Sequence, residues 1–249
     1  MKTLKVLSAL LTYPTADLQT AAPELKAILQ RESVLKGAHL AGVIDLVDDI
    51  ATGDLFDAQE RYILLFDRTR SLSLHLFEHV HGESRDRGQA MVDLMKVYED
   101  AGYTPTASEL PDFLPLFLEF ASTRPPADAL ELIAEPGHVL AALKERLAKR
   151  RTPYTAVLGA LVALSKAKLD SAQLAALRAE PDPEPDDLEA LDAAWVDEEV
   201  TFGPGAASDC GIDSLGAKLR QARRPAPGLE PPSGQRPRTI ITTPATGRT

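Results

Sequence analysis

Residues 71–94 read SLSLHLFEHVHGESRDRGQAMVDL, and the reading of this stretch decides the fold. Its first half places His75, His79 and His81 within seven residues. On a helical wheel Leu72, Leu74, Leu76, Phe77 and Val80 make one broad apolar arc, with His75, Glu78 and His79 opposite. Gly82 is a helix stop, and Ser84 an N-cap for the next helix. Met91, Leu94, Met95 and Tyr98 then recur at i, i+3, i+4 and i+7. The spacing predicts a helix over Ser71–His81, a tight elbow at Gly82–Ser84, and a second helix. Polar side chains gather at the elbow, Arg85, Asp86 and Arg87 among them. The plain alternative is a solvated turn between two core helices.

Outward from the elbow the pattern stays helical. A first helix ends near Pro14, and Thr15 and Asp17 open a second that restarts near Pro23. A third carries Leu40, Val43, Ile44, Val47 and Ile50 and stops at Thr52–Gly53, and Asp54 caps a fourth. The segment ELPDFLPLFLEF, Glu109–Phe120, holds three of the seven phenylalanines. With Asp112 as N-cap, Pro115 falls at the third helical position, where no N–H is needed. Phe113, Phe117 and Phe120 then share one face, with the carboxylates of Glu109 and Asp112 at its start. Most of these rings suit an ordinary core; Phe113 and Phe117 also suit the lining of a groove, and Asp112 could receive a guest guanidinium there. No alternating strand pattern is found. The expectation is an all-α fold: one globular domain of roughly eight to ten helices over residues 1–169.

Residues 170–249 differ. They hold ten of the nineteen prolines, with twelve acidic and no basic residues from Glu180 to Asp213, then seven basic and one acidic from Ser214 to Thr249. That composition predicts a mostly disordered tail with one short helix near Leu174. The formal charge of −10 argues against nucleic-acid binding. A single cysteine, Cys210, excludes an internal disulfide framework. The N-terminal MKTLKVLSALLTYP has Leu4, Leu7, Leu10 and Leu11 at helical spacing and no signal cleavage pattern, so it reads as the first core helix. No apolar run reaches bilayer length. A cytoplasmic protein with no stable membrane association is expected.

Catalytic motifs are absent: no phosphate-cradling glycine loop, zinc-protease helix or nucleophile elbow. His75, His79 and His81 could hold a metal, since histidines one turn apart can share an ion. A metal carrier or enzyme built on them is the competing reading to a binding module, and a purely structural subunit is a third.

LSLHLFEHVHGESRDRGQAMVDL and ELPDFLPLFLEF together closely resemble the delta subunit of respiratory nitrate reductase, a molybdenum-cofactor assembly chaperone among the redox-enzyme maturation chaperones. The likeness runs from LLTYP to about Lys168, and WVDEEVTFG at Trp195–Gly203 resembles the acidic tail of that subunit. In the wider family a histidine usually follows the proline-aspartate pair; here Phe113 does, as in the nitrate reductase branch. The resemblance implies an all-helical, non-catalytic chaperone with no cofactor of its own. Its partner would be the catalytic (alpha) subunit of nitrate reductase, bound by its N-terminal peptide. The apo-enzyme is thereby kept competent for molybdenum-cofactor insertion before membrane docking. The residues expected to meet that partner are His75, Glu78, His79, Arg85, Arg87, Glu109, Asp112, Phe113 and Phe117.

Overall fold

A computed structural model describes residues 1–82, 84–105 and 109–183, residues 187 and 189, and the backbone of 238–240. Among the described residues there are eleven α-helices, one more than the upper end of the expected range. They are α1 (Lys2–Leu10), α2 (Ala16–Glu32), α3 (Gly37–Thr52), α4 (Leu55–Phe66), α5 (Leu76–His81), α6 (Arg85–Asp100), α7 (Leu114–Ser122), α8 (Pro126–Ala134), α9 (Gly137–Lys149), α10 (Thr155–Ser165) and α11 (Ser171–Ala179). The caps expected at Thr15 and Asp54 are formed: Thr15 Oγ1 accepts the Leu18 amide, and Asp54 accepts those of Phe56 and Asp57. α2 runs through Pro23 without the expected restart. One missing N–H there is tolerated by a helix anchored through buried Ala22 and Leu29.

The layout follows from which helices are apolar all round. In α7, Leu114, Leu116, Phe117, Leu118, Phe120 and Ala121 are all buried and only Glu119 and Ser122 are partly exposed, so this helix takes the centre. α1 lies along it, with Ser8 Oγ donating to the Pro115 carbonyl at 2.6 Å and Lys5 pairing with Glu119 at 3.1 Å. α10 is also apolar on every side and is covered by α3 and α9. Gly137 opens α9 where the chain returns: a Cβ there would lie 2.5 Å from Ala167 Cβ. No helix among the described residues is long and apolar enough to cross a membrane.

Four expectations need correction. The helix over Ser71–His81 is not continuous: Arg70–Leu72 is a 3-10 turn, the chain then runs extended to His75, and only Leu76–His81 is α-helical. Apolar spacing alone does not separate a short helix from an extended run whose partner is distant in sequence. Asp112 does not cap its own helix; Phe113 is the N-cap residue, and Pro115 sits at the second helical position. Strand does occur: Tyr103–Pro105 (β1) pairs in parallel with Arg238–Ile240 (β2). Lastly, the packed body passes residue 169. α11 buries Leu174 and Leu177 against α9, and the chain stays attached through Pro183. Of the rest of the expected tail, only residues 187 and 189 and the backbone of 238–240 are described.

The attachment of that segment is polar. Buried Arg146 on α9 donates to the carbonyls of Ser71 at 2.7 Å and Leu177 at 2.5 Å, and pairs with Glu180 at 3.1 Å. One turn on, Arg150 donates to Asp182 at 2.8 Å and to the Pro183 carbonyl at 2.7 Å. Ser71 Oγ completes the set on Asp182 at 2.9 Å. The basic end of α9 thus binds the start of the acidic run, and in doing so ties α11 to the 3-10 turn that leads into the elbow.

Candidate functional site

α5 has six residues, too few to stand as an isolated helix. The segment preceding α7 supplies what it lacks. Leu74 and His75 run antiparallel to Phe113, with the Leu114 amide donating to the Leu74 carbonyl at 2.8 Å and the Leu76 amide to the Asp112 carbonyl at 3.1 Å. The Asp112 side chain, 0% exposed, accepts the Phe77 amide on Oδ2 at 2.9 Å. A carboxylate there satisfies an orphan N–H of the first turn and meets the positive end of the helix dipole. Its other oxygen faces His75 Nδ1 at 3.3 Å. Beneath, buried Tyr98 on α6 donates its hydroxyl to the Pro111 carbonyl at 2.7 Å and so fixes the turn that carries Asp112.

The three histidines have three environments. Burial drives the His75 imidazole toward its neutral form, but the hydrogen bond and charge of Asp112, helped by Glu78, outweigh that and the opposing charge of Arg87; its pKa lies above the ordinary value. Burial holds His79 below the ordinary value despite the Ser73 carbonyl, which lies 2.8 Å from Nε2. A carbonyl can only accept, so Nε2 carries the proton in the neutral ring. Burial also lowers His81, whose ring stands edge-on to Phe77 at 5.4 Å. Each ring faces a different neighbour, and among the described residues no three His, Cys, Asp or Glu side chains are grouped to hold a metal.

On the outer side, the Phe113 ring is half-buried and stacks on His75 with centroids 5.3 Å apart and planes tilted 34°. Leu110, three residues earlier, is 47% exposed. Glu78 and Arg87 pair across the elbow at 3.1 Å. Of the residues expected to meet a partner, the fold therefore brings His75, Asp112 and Phe113 into one cluster, with the Glu78–Arg87 pair at the elbow. Glu109 is half-buried at the start of the same segment, and Arg85 is exposed on the first turn of α6. His79 is turned inward, and Phe117, 5% exposed, belongs to the core. Sequence reasoning missed Tyr98 as a support, although it stood on the apolar stripe of α6. Arg146 and Arg150, which hold α11 and the chain after it, were likewise not singled out, although their spacing of four residues on α9 was an available signal.

The model of the nitrate reductase delta subunit family matches residues 14–159. Over 220 residues, covering 88% of this chain and 91% of the relative, the sequence is 41% identical to the nitrate reductase molybdenum cofactor assembly chaperone NarJ of Escherichia coli K12. It is 36% identical over 221 residues, 89% of this chain and 92% of the relative, to the "Probable nitrate reductase molybdenum cofactor assembly chaperone NarW" of the same strain. A stretch of 154 residues, 62% of this chain and 23% of the relative, is 32% identical to the nitrate reductase-like protein NarX of Mycobacterium tuberculosis H37Rv. The chain belongs to the nitrate reductase delta subunit family.

Proposed function

We propose that this protein is a cytoplasmic assembly chaperone, not an enzyme, that binds the apo catalytic subunit of a respiratory nitrate reductase. It takes hold of the N-terminal segment of that subunit and keeps the apo-enzyme competent for molybdenum-cofactor insertion before membrane docking. The family membership supports the chaperone class. The observation that carries the site is the half-buried Phe113 ring, stacked on His75 beside exposed Leu110 and held from beneath by Asp112 and Tyr98. A rigid aromatic on a fixed support is what a short apolar or amphipathic guest segment needs as an anchor.

Roles within the site divide by exposure. Phe113 and Leu110 offer apolar contact, and Glu109 and Glu78 offer carboxylates to basic guest side chains. Asp112 is enclosed, with both oxygens occupied, so it acts as the brace of the surface and Phe117 as its floor. The arginine contact expected at Asp112 is reassigned to Glu109 on that ground. Arg85 and Arg87 stand at the far side of the elbow, with Arg87 held by Glu78.

Calorimetric titration of the full chain with a synthetic N-terminal peptide of the catalytic subunit tests this. Phe113→Ala is expected to weaken binding by about tenfold or more, as loss of a central aromatic anchor does. Glu109→Gln is expected to have a smaller effect that fades as salt is raised. Undiminished affinity in both variants would remove this face from the guest site.

A further inference from the structure

The outer face of α4 carries an open depression of about 650 Å3 that nothing in the described residues covers. Phe56 in its wall is 78% exposed and Ile63 is 39% exposed, with Leu64 beside them. Contiguous exposed apolar surface rimmed by polar side chains marks interaction sites, and Phe56, Ile63 and Leu64 share one such hollow. Asp57 and Glu60, both exposed, line the same hollow, and Arg68 is the one cation among its lining residues. The fitting occupant is therefore an amphipathic segment with a narrow apolar face flanked by cations.

The chain contains one. Residues 212–224 read IDSLGAKLRQARR, with four cations against one acid. At helical spacing Ile212, Leu215, Leu219 and Ala222 fall on one face, at i, i+3, i+7 and i+10, and Lys218 and Arg223 flank it on either side. We propose that the α4 depression is the docking site of this segment of the same chain, with Leu215 and Leu219 against Phe56 and Ile63 and the flanking cations against Asp57 and Glu60.

Tether geometry favours the segment in cis. Asp182 is bonded to Ser71 Oγ, and Ser71 lies five residues past the end of α4 at Phe66. The chain therefore leaves the body beside the helix that bears the depression. α4 spans about 18 Å at 1.5 Å per residue. A tether of 29 residues, Pro183 to Gly211, has an r.m.s. reach of roughly 30 Å. A tether matched to its span gives an effective concentration on the order of 1 mM. Even an intrinsic dissociation constant of about 0.1 mM then leaves the site mostly filled. A filled site hides Phe56 and competes with any basic, amphipathic segment that approaches α4. This stands apart from the elbow, since the two surfaces share no residue.

The test uses the full chain and a labelled synthetic peptide of residues 212–224, with anisotropy as readout. The chain with its own segment disabled by Leu215→Glu and Leu219→Glu is expected to bind the peptide about tenfold more tightly than the unaltered chain, the factor by which cis occupancy competes. Adding Phe56→Glu, a surface change, is expected to abolish that gain. Equal affinity for the unaltered and tail-altered chains, or no binding to either, overturns cis docking. A gain that survives Phe56→Glu overturns the site. A dimer in light scattering that Phe56→Glu splits makes a second copy the occupant and overturns the proposal as well. No guest peptide is used, so failure here is separable from failure of the elbow as the guest site.

Discussion

The Asp112 carboxylate accepts the amide of Phe77, 35 residues away in sequence, and so caps a helix to which it does not belong. Asp112→Ala is expected to cost about 2 kcal/mol, because a buried first-turn N–H loses its acceptor. Asp112→Asn keeps an acceptor for Phe77 but loses the charge facing His75, for a cost of about 1 kcal/mol. Urea denaturation of the two variants gives both numbers. A neutral Asp112→Ala would mean that the Phe77 amide finds another partner.

The histidines set opposite slopes of stability against pH. For His75 the folded value lies above the ordinary 6.5, so its contribution is complete below 6.5 and is lost as pH rises through the folded value. His79, His81 and His138 lie below 6.5 when folded, so theirs are complete above 6.5 and are lost as pH falls through that value. The three outnumber the one, and the melting temperature is expected to decline below about pH 6.5. His79→Gln, which keeps a donor for the Ser73 carbonyl, should make the decline shallower. His75→Gln should make it steeper. Thermal melts between about pH 5.5 and 8 at constant ionic strength check this, and parallel curves for all three proteins would refute it.

Where the packed body ends is open to truncation. Cutting after Leu169 removes Leu174 and Leu177 from the core and leaves buried Arg146 without the Leu177 carbonyl and Glu180. The expected loss is about 3 kcal/mol or more. Cutting after Pro183 keeps all of these contacts and is expected to lower the urea midpoint much less, since only the β1–β2 pairing and the segment proposed to dock on α4 are lost. Equal midpoints for the two truncated chains would show α11 to be dispensable.

Gly137→Ala places a methyl 2.5 Å from Ala167 Cβ, where a chain segment and not a flexible side-chain tip must give way. Overpacking of this kind costs about 1–3 kcal/mol. Gly88→Ala on α6 meets nothing within 4 Å and serves as the control, where a gain in helix propensity of up to about 1 kcal/mol is expected. Paired melts of the two variants should move in opposite directions.

The all-helical class, most helix centres and the caps at Thr15 and Asp54 could be read from the sequence, because each rests on residues within one or two turns of each other. The elbow at Gly82–Ser84 was legible for the same reason. What escaped was long-range. The extended run to His75 is fixed by Phe113, the cap of α5 comes from Asp112, and α11 is held by Arg146 and Arg150. In the last case composition misled: the run of acids beginning at Glu180 has the signature of a segment that cannot bury itself. Its first carboxylates are nevertheless taken up by arginines more than thirty residues earlier. Among the expected partner contacts, Phe113 stays half-buried with its ring on His75, whereas Phe117, four residues on, is packed into the core.

Because the first turn of α5 is capped from the segment before α7, its assembly has a fixed place in time. Six residues cannot nucleate unaided, and the loop that must close before Asp112 reaches Phe77 contains all of α6. The elbow should therefore condense after α7 has joined the core, on the native side of the folding barrier, with φ-values near zero at Phe77 and Asp112. Substitutions there would accelerate unfolding while leaving the refolding rate nearly untouched. A newly made chain would then acquire its proposed recognition face last, once the scaffold behind it is already solid.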